Sequence, residues 1–144
     1  MSDSVTTSLT AVLRDTYALG VKTHAAHWNV TGSGFFELHE QFGSQYEALL
    51  EAADELAERI RALGASAPAG IKDLAKGSRI SDTTETTGKA LVTELRNDHR
   101  SLSKACAAAV AIAQKADDEA TADLLIGRIA EHDKTAWMLD AWRK

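Results

Sequence analysis

One cysteine, Cys106, stands in 144 residues, which excludes an internal disulfide framework and any cysteine-based zinc site. Proline also occurs once and glycine nine times, against many alanines. So little punctuation excludes a turn-rich β fold and favours long helices. No apolar run approaches the roughly 18 residues that a membrane span needs. Basic residues are in the minority, sixteen Lys and Arg against twenty-one Asp and Glu, for a formal net charge of −5. A surface of that sign concentrates cations and repels phosphate backbones. The opening MSDSVTTSL lacks the basic region and the apolar stretch of a signal peptide, so a cytoplasmic location is expected. The remaining balance, 44% hydrophobic and 26% charged residues, suits a globular chain. Residues 1–144 are expected to form one domain.

Hydrophobic spacing predicts four long helices. Val5, Leu9, Val12, Leu13, Leu19 and Val21 form a stripe leading to Trp28, with Ser2, Asp3 and Ser4 as candidate N-caps. Phe35, Leu38, Phe42, Tyr46, Leu49, Ala53, Leu56, Ile60 and Leu63 recur at steps of three and four until Gly64. Val30–Gly34 breaks the two, and so short a loop makes them antiparallel neighbours. Leu91, Leu95, Leu102, Ala105, Ala109 and Ile112 mark a third helix, introduced by the capping-rich stretch 81–87. A fourth runs from about Glu119 to Trp142 with Leu124, Leu125, Ile129, Trp137 and Leu139. About twenty residues separate the second helix from the third, holding Pro68 and a short helical fragment over 71–76; such a length can carry the chain from one end of a bundle to the other. The expected architecture is an all-α four-helix bundle with a long crossover.

Two groups of side chains carry candidate chemistry. His24 and His27 lie near the end of the first helix and His39 one turn into the second. In an antiparallel hairpin His27 and His39 stand at similar height, and two neutral imidazoles with nearby carboxylates suit iron, zinc or manganese. A pair of partly buried, hydrogen-bonded histidines is the plainer reading. Glu51, Asp54, Glu55 and Glu58 follow on the second helix, where Asp54 and Glu58, one turn apart, could hold one cation. Ion pairs of Glu55 with Arg59 and Glu58 with Arg61 on a solvated face would explain the same pattern. Fifteen residues at 1.5 Å each put His39 and Asp54 roughly 22 Å apart, so they cannot share an ion within one chain. The carboxylates also point some 120–160° away from the apolar stripe. One site can include both groups only if a second copy of this helix runs antiparallel beside the first, as in a two-fold dimer. Di-iron sites inside a bundle use Glu-x-x-His; the residues three before the five histidines are Val21, His24, Phe36, Arg96 and Ile129, which disfavours such a centre. His24, His99 and His132 are left as surface or packing residues.

His27-Trp28-Asn29-Val30-Thr31-Gly32, Phe35-Phe36, Leu38-His39-Glu40 and Asp54-Glu55-Leu56-Ala57-Glu58-Arg59, with Thr135–Leu139 near the C-terminus, closely resemble the Dps family of mini-ferritins over nearly the whole chain. That resemblance implies a ferritin-like bundle assembled as a hollow homododecamer of two-fold dimers. It implies oxidation of Fe(II) to Fe(III), preferably by hydrogen peroxide rather than oxygen, with ferric mineral stored inside. His27 and His39 of one chain and Asp54 and Glu58 of its partner would hold the iron, and Trp28 could supply an electron, although packing alone would explain a Trp there. Glu119 and Asp123, from the acidic run beginning at Asp117, would line three-fold channels; acidic residues also suit a helix N-terminus.

One position departs from the family pattern. Many members carry a carboxylate four residues after the second histidine, and this chain has Gly43. One iron position is therefore expected to be well furnished and the second weaker, completed by water or Glu47. Relatives that coat DNA use a lysine-rich terminal arm. Here the first basic residue is Arg14, and only Arg143-Lys144 close the chain. Twelve copies would carry about −60 formal charges, so binding DNA through tails is not expected; a nucleoid-associated DNA-protecting protein with a minor metal site is the rival reading.

Overall fold

The computed structural model describes residues 2–144 and is all-α, with five helices among them. These are α1 (Ser2–Asn29), α2 (Phe35–Ala62), the short α3 (Ile71–Ala75), α4 (Gly88–Lys115) and α5 (Glu119–Arg143). Asp3 and Ser4 therefore lie inside the first turn of α1 rather than capping it. The hairpins α1–α2 and α4–α5 are the closest pairings, and α1 against α4 joins them.

Local chemistry sets the helix boundaries. Thr87 caps α4 by accepting a hydrogen bond from the Ala90 N–H (3.3 Å), and Asp118 caps α5 by accepting from the Thr121 N–H (3.0 Å). Gly34, at φ 82°, ends the tight loop before α2 in a conformation that L side chains resist. The crossover from α2 to α4 is pinned to α1 at two points. The Arg14 guanidinium grips Asp73 (2.7 Å). The buried Asp15 carboxylate accepts from the Arg79 side chain (2.6 Å), the Arg79 N–H (2.9 Å) and the Ser78 hydroxyl (3.2 Å). The Thr31 N–H also donates to the Thr86 carbonyl (2.8 Å), tying the hairpin loop to the end of the crossover.

Two apolar clusters fill the bundle. Leu19, Leu38, Phe42, Leu91, Leu95 and Leu139 belong to one, and Leu9, Leu13, Leu56, Ile60, Cys106 and Leu125 to the other. Three members of the expected stripes stand outside: Val21, Ile112 and Trp137 are exposed. Lys22 and Thr23 take the inward positions beside Val21, Ala109 and Ala113 those around Ile112, and Ala136 and Leu139 those around Trp137. Lys22 is inward as a charge, and Asp98 (2.7 Å) and Glu94 (3.2 Å) satisfy its ammonium.

Of the two readings left for His99 and His132, surface or packing, burial excludes the first. They are buried to 2% and 1% exposure, and their Nδ1 atoms lie 2.9 Å apart across α4 and α5. Burial first, then the Arg128 charge, lowers the pKa of His99 to about 3. Burial again leads for His132, lowered to about 2 with His99 and Arg128 contributing. Both rings are therefore neutral in the fold. Because the unfolded chain takes up protons near pH 6.5, their contribution to stability is fully present above that pH. It declines as pH falls from about 6.5 toward 3. Acidification from pH 7 to 5.5 is expected to cost roughly 1 kcal/mol per histidine, and in a His99→Phe/His132→Leu variant this part of the slope should disappear from denaturation curves. An unchanged slope would assign the acid sensitivity to other groups.

Candidate metal centre

The α1–α2 hairpin brings His27, in the last turn of α1, against His39, in the second turn of α2. Their rings stack with centroids 3.9 Å apart and planes within 15°. Each ring then bonds to the other residue's backbone: Nδ1 of His27 lies 2.6 Å from the His39 carbonyl, and Nδ1 of His39 lies 2.7 Å from the His27 carbonyl. A carbonyl only accepts, so each Nδ1 must carry the hydrogen. In the neutral ring this leaves Nε2 with a free lone pair. The backbone thus sets both imidazoles in one tautomer, the one that presents Nε2 to a metal.

An aromatic shell surrounds the pair. Phe35 stacks on His39 (5.2 Å), and Tyr46 sits 5.6 Å from His27. His24, expected to be a surface or packing residue, lies flat against Tyr46 (3.8 Å, 11°) and 4.1 Å from Trp28, so its role is packing. Trp28 is 63% exposed and is no core aromatic. At the end of α1 the inward positions belong to Ala26 and Val30.

Gly43 is part of this arrangement in a way that its missing carboxylate conceals. A Cβ at position 43 would stand 3.1 Å from both Cε1 and Nδ1 of His27. The bare backbone makes room for the ring that makes the carbonyl contact. Sequence reasoning registered only a lost ligand; the signal for the second role was a glycine inside a helix, which costs about 1 kcal/mol against alanine.

Asp54 and Glu58 stand exposed on α2, while Ala53, Leu56 and Ile60 face inward. The alternative ion pairs, Glu55 with Arg59 and Glu58 with Arg61, do not form among the described residues. Arg59 reaches across to α5, bonding Asp118 (3.1 Å) and the Thr121 hydroxyl (2.9 Å), and Arg61 bonds the Ala65 carbonyl (2.9 Å). A helix cap that already concentrates negative charge outcompetes a solvated carboxylate one turn away. Asp54 borders an apolar hollow of about 310 Å³ walled by Leu13, Tyr17, Leu50, Ala57 and Leu74. Glu119 and Asp123 are exposed on α5; the cap itself is made by Asp118. Among the described residues, no three His, Cys, Asp or Glu side chains gather into one group able to hold a metal. One chain holds the imidazoles in one place and the carboxylates in another.

Residues 6–144 match the ferritin-like domain family. The chain is 36% identical over 143 residues to DNA protection during starvation protein 2 of Bacillus anthracis, across 99% of this chain and 98% of that one. The crystal structure of the Dps protein of Vibrio cholerae, described as a member of a broad superfamily of ferritin-like diiron-carboxylate proteins, superposes with a TM-score of 0.95. It shares 31% identity and covers 99% of this chain and 91% of its own. The chain belongs to the Dps family of mini-ferritins. A Dps protein of Bacillus brevis likewise matches over 100% of both chains, with a TM-score of 0.90 and 34% identity. Membership in the Dps family implies iron binding and supports roles in iron storage and protection of DNA. It also accounts for a four-helix bundle with its short helix in the crossover.

The packing of Gly43 against His27 is open to a direct test. Gly43→Ala should raise helix propensity by about 1 kcal/mol yet displace the His27 ring. Titration calorimetry with Zn²⁺ on assembled, iron-free protein should then show affinity lower by about tenfold, the scale of a disturbed outer-shell contact. Unchanged affinity would mean that the ring does not depend on the space at residue 43.

Proposed function

We propose that this chain is an iron-storing ferroxidase whose centres form between two-fold-related copies. The carrying observation is the reciprocal bonding of His27 and His39, which readies two Nε2 lone pairs on a surface that has no carboxylate partner of its own. The arithmetic of α2 supports this reading. A two-fold axis crossing the helix midway between His39 and Asp54, near residues 46 and 47, lays 35–39 of one copy against 54–58 of the other. Exposed Val21, Trp28 and Phe36 on the histidine side and the apolar hollow beside Asp54 are surfaces that such contact would cover. Twelve chains then close a hollow shell, as the family likeness implies.

Iron is the substrate. Asp54 and Glu58 supply two negative charges to Fe(II), and His27 and His39 complete its shell through nitrogen. Carboxylate oxygens favour Fe(III) over Fe(II) because the extra positive charge is better compensated, which lowers the driving force the oxidant must supply. Hydrogen peroxide takes two electrons and two protons to become two waters, oxidising two Fe(II) to two Fe(III). With no carboxylate at Gly43, the second iron rests on water or Glu47, or its electron comes from Trp28. Glu119 and Asp123 draw Fe(II) through the three-fold channels, and the ferric product is stored within the shell. The site then protects DNA chemically, by removing the reactants that form hydroxyl radical. Direct coating of DNA is opposed by the net charge of −5. No described helix is long and apolar enough to cross a membrane, and a cytoplasmic site of action suits this chemistry.

A shared centre makes an unusual demand on mixed assemblies. His39→Ala and Asp54→Ala should each abolish rapid Fe(II) oxidation by peroxide. Dissociated and reassembled together in equal amounts, half of the dimers pair one variant with the other, and each of these rebuilds one intact centre of two. About a quarter of the wild-type rate should return. No recovery from a well-mixed assembly would overturn the shared centre. Separately, Glu119→Gln/Asp123→Asn should slow mineral growth several-fold while leaving the first oxidised irons per chain unchanged. Unaltered growth would place the inward path elsewhere.

A further inference from the structure

The buried pair His99–His132 is unused by the iron chemistry, and its hydrogen bonds have a direction. Arg128 Nη2 lies 3.3 Å from Nε2 of His132. A guanidinium only donates, so Nε2 of His132 accepts and its hydrogen sits on Nδ1. That Nδ1–H points at Nδ1 of His99 (2.9 Å), which must accept, leaving the hydrogen of His99 on Nε2. Nε2 of His99 is buried without a partner, and so are Nε of Arg128 and Oε1 of Gln45. All three residues line one cavity of about 130 Å³ between α2, α4 and α5, with Ser44, Glu131 and Thr135 also on its wall.

Two donors and one acceptor thus face a shared space, and buried groups of this kind are satisfied in native proteins. The space is several times the roughly 10–15 Å³ that one water needs on this measure. Arg128 also makes no ion pair among the described residues. Of the groups around it, both histidines are neutral, and burial pushes the Cys106 thiol up to about 11. Glu131 and Glu55 act on it only through space, beyond ion-pairing distance. An occupant that accepts two hydrogen bonds and donates one would satisfy all three atoms, and a negative charge on it would face the Arg128 guanidinium. Chloride and acetate donate nothing, and water would satisfy the three atoms without answering the guanidinium charge. We propose that this cavity binds a small protonated oxyanion, of the bicarbonate or hydrogen-phosphate class, held by Arg128 and His99 with its hydroxyl on Gln45. Such an anion bridges α5 to the stretch of α2 between His39 and Asp54.

Equilibrium dialysis of iron-free, assembled protein against labelled inorganic phosphate and labelled bicarbonate tests this. One saturable site per chain is expected for at least one of them, and the two arms identify the source. Arg128→Gln should weaken binding at least tenfold, and saturating anion should raise the melting temperature of wild type but not of the variant. Should Arg128→Gln fail to assemble, Gln45→Leu, which touches neither the charge nor the histidines, should weaken binding several-fold. Crystals of wild type soaked in the tighter anion should show it in contact with Nε2 of His99. Absence of saturable binding in wild type, sulfate binding as tightly as phosphate, or unaltered affinity in both variants would overturn the assignment.

Discussion

Two imidazoles lie face to face because each donates to the other's backbone carbonyl, and the chemistry of the α1–α2 hairpin depends on that exchange. It places a hydrogen of each ring on Nδ1. A second proton on either ring would remove the Nε2 lone pair and set a cation against its neighbour's face. The exchange also needs two structural permissions. The five-residue loop brings both histidines to one height, with Gly34 at φ 82° completing the reversal, and Gly43 leaves the His27 ring room to approach.

The same hairpin explains why one chain is insufficient. A helix advances 1.5 Å per residue, so no bending of α2 could return Asp54 to His39. The outward direction of Asp54 and Glu58 follows from the burial of Ala53, Leu56 and Ile60 beneath them. In the proposed reading, activity is conditional on assembly: a free chain presents ligands but no complete set. That division has a chemical benefit. Under that reading iron is held for oxidation only where two copies meet.

How much of this was legible depended on the range of the interaction concerned. Helix positions, the α1–α2 hairpin and the short helix in the crossover follow from spacing between near neighbours, and Phe42, Leu56 and Leu95 lie in the core as their periodicity indicates. The similar height of His27 and His39 followed from the shortness of the loop. Their carbonyl contacts did not, because these depend on side-chain rotamers and on the space at residue 43. Arg59 was misassigned to Glu55 because helical spacing says nothing of a cap on another helix, fifty-nine residues away in the chain. His99 and His132, thirty-three residues apart, share no period at all. Only the packing of α4 on α5 reveals them as a pair. Trp137 and Ile112 show the converse error: an apolar residue near a stripe is not thereby inside, when alanines already fill the inward positions.

The two histidine pairs make a controlled comparison within one chain. Both are close contacts of imidazole rings, yet their hydrogen bonds begin from opposite kinds of group. Around His27 and His39 the partners are carbonyls, which can only accept; both hydrogens are drawn inward, and lone pairs are left for an electron-deficient ion. Around His99 and His132 the first partner is a guanidinium, which can only donate; the sequence of bonds ends in an N–H seeking an electron-rich one. Residue type is the same in each, and burial alone does not separate their roles. The polarity of the first hydrogen bond does: in the proposed readings one pair receives a cation and the other faces an anion.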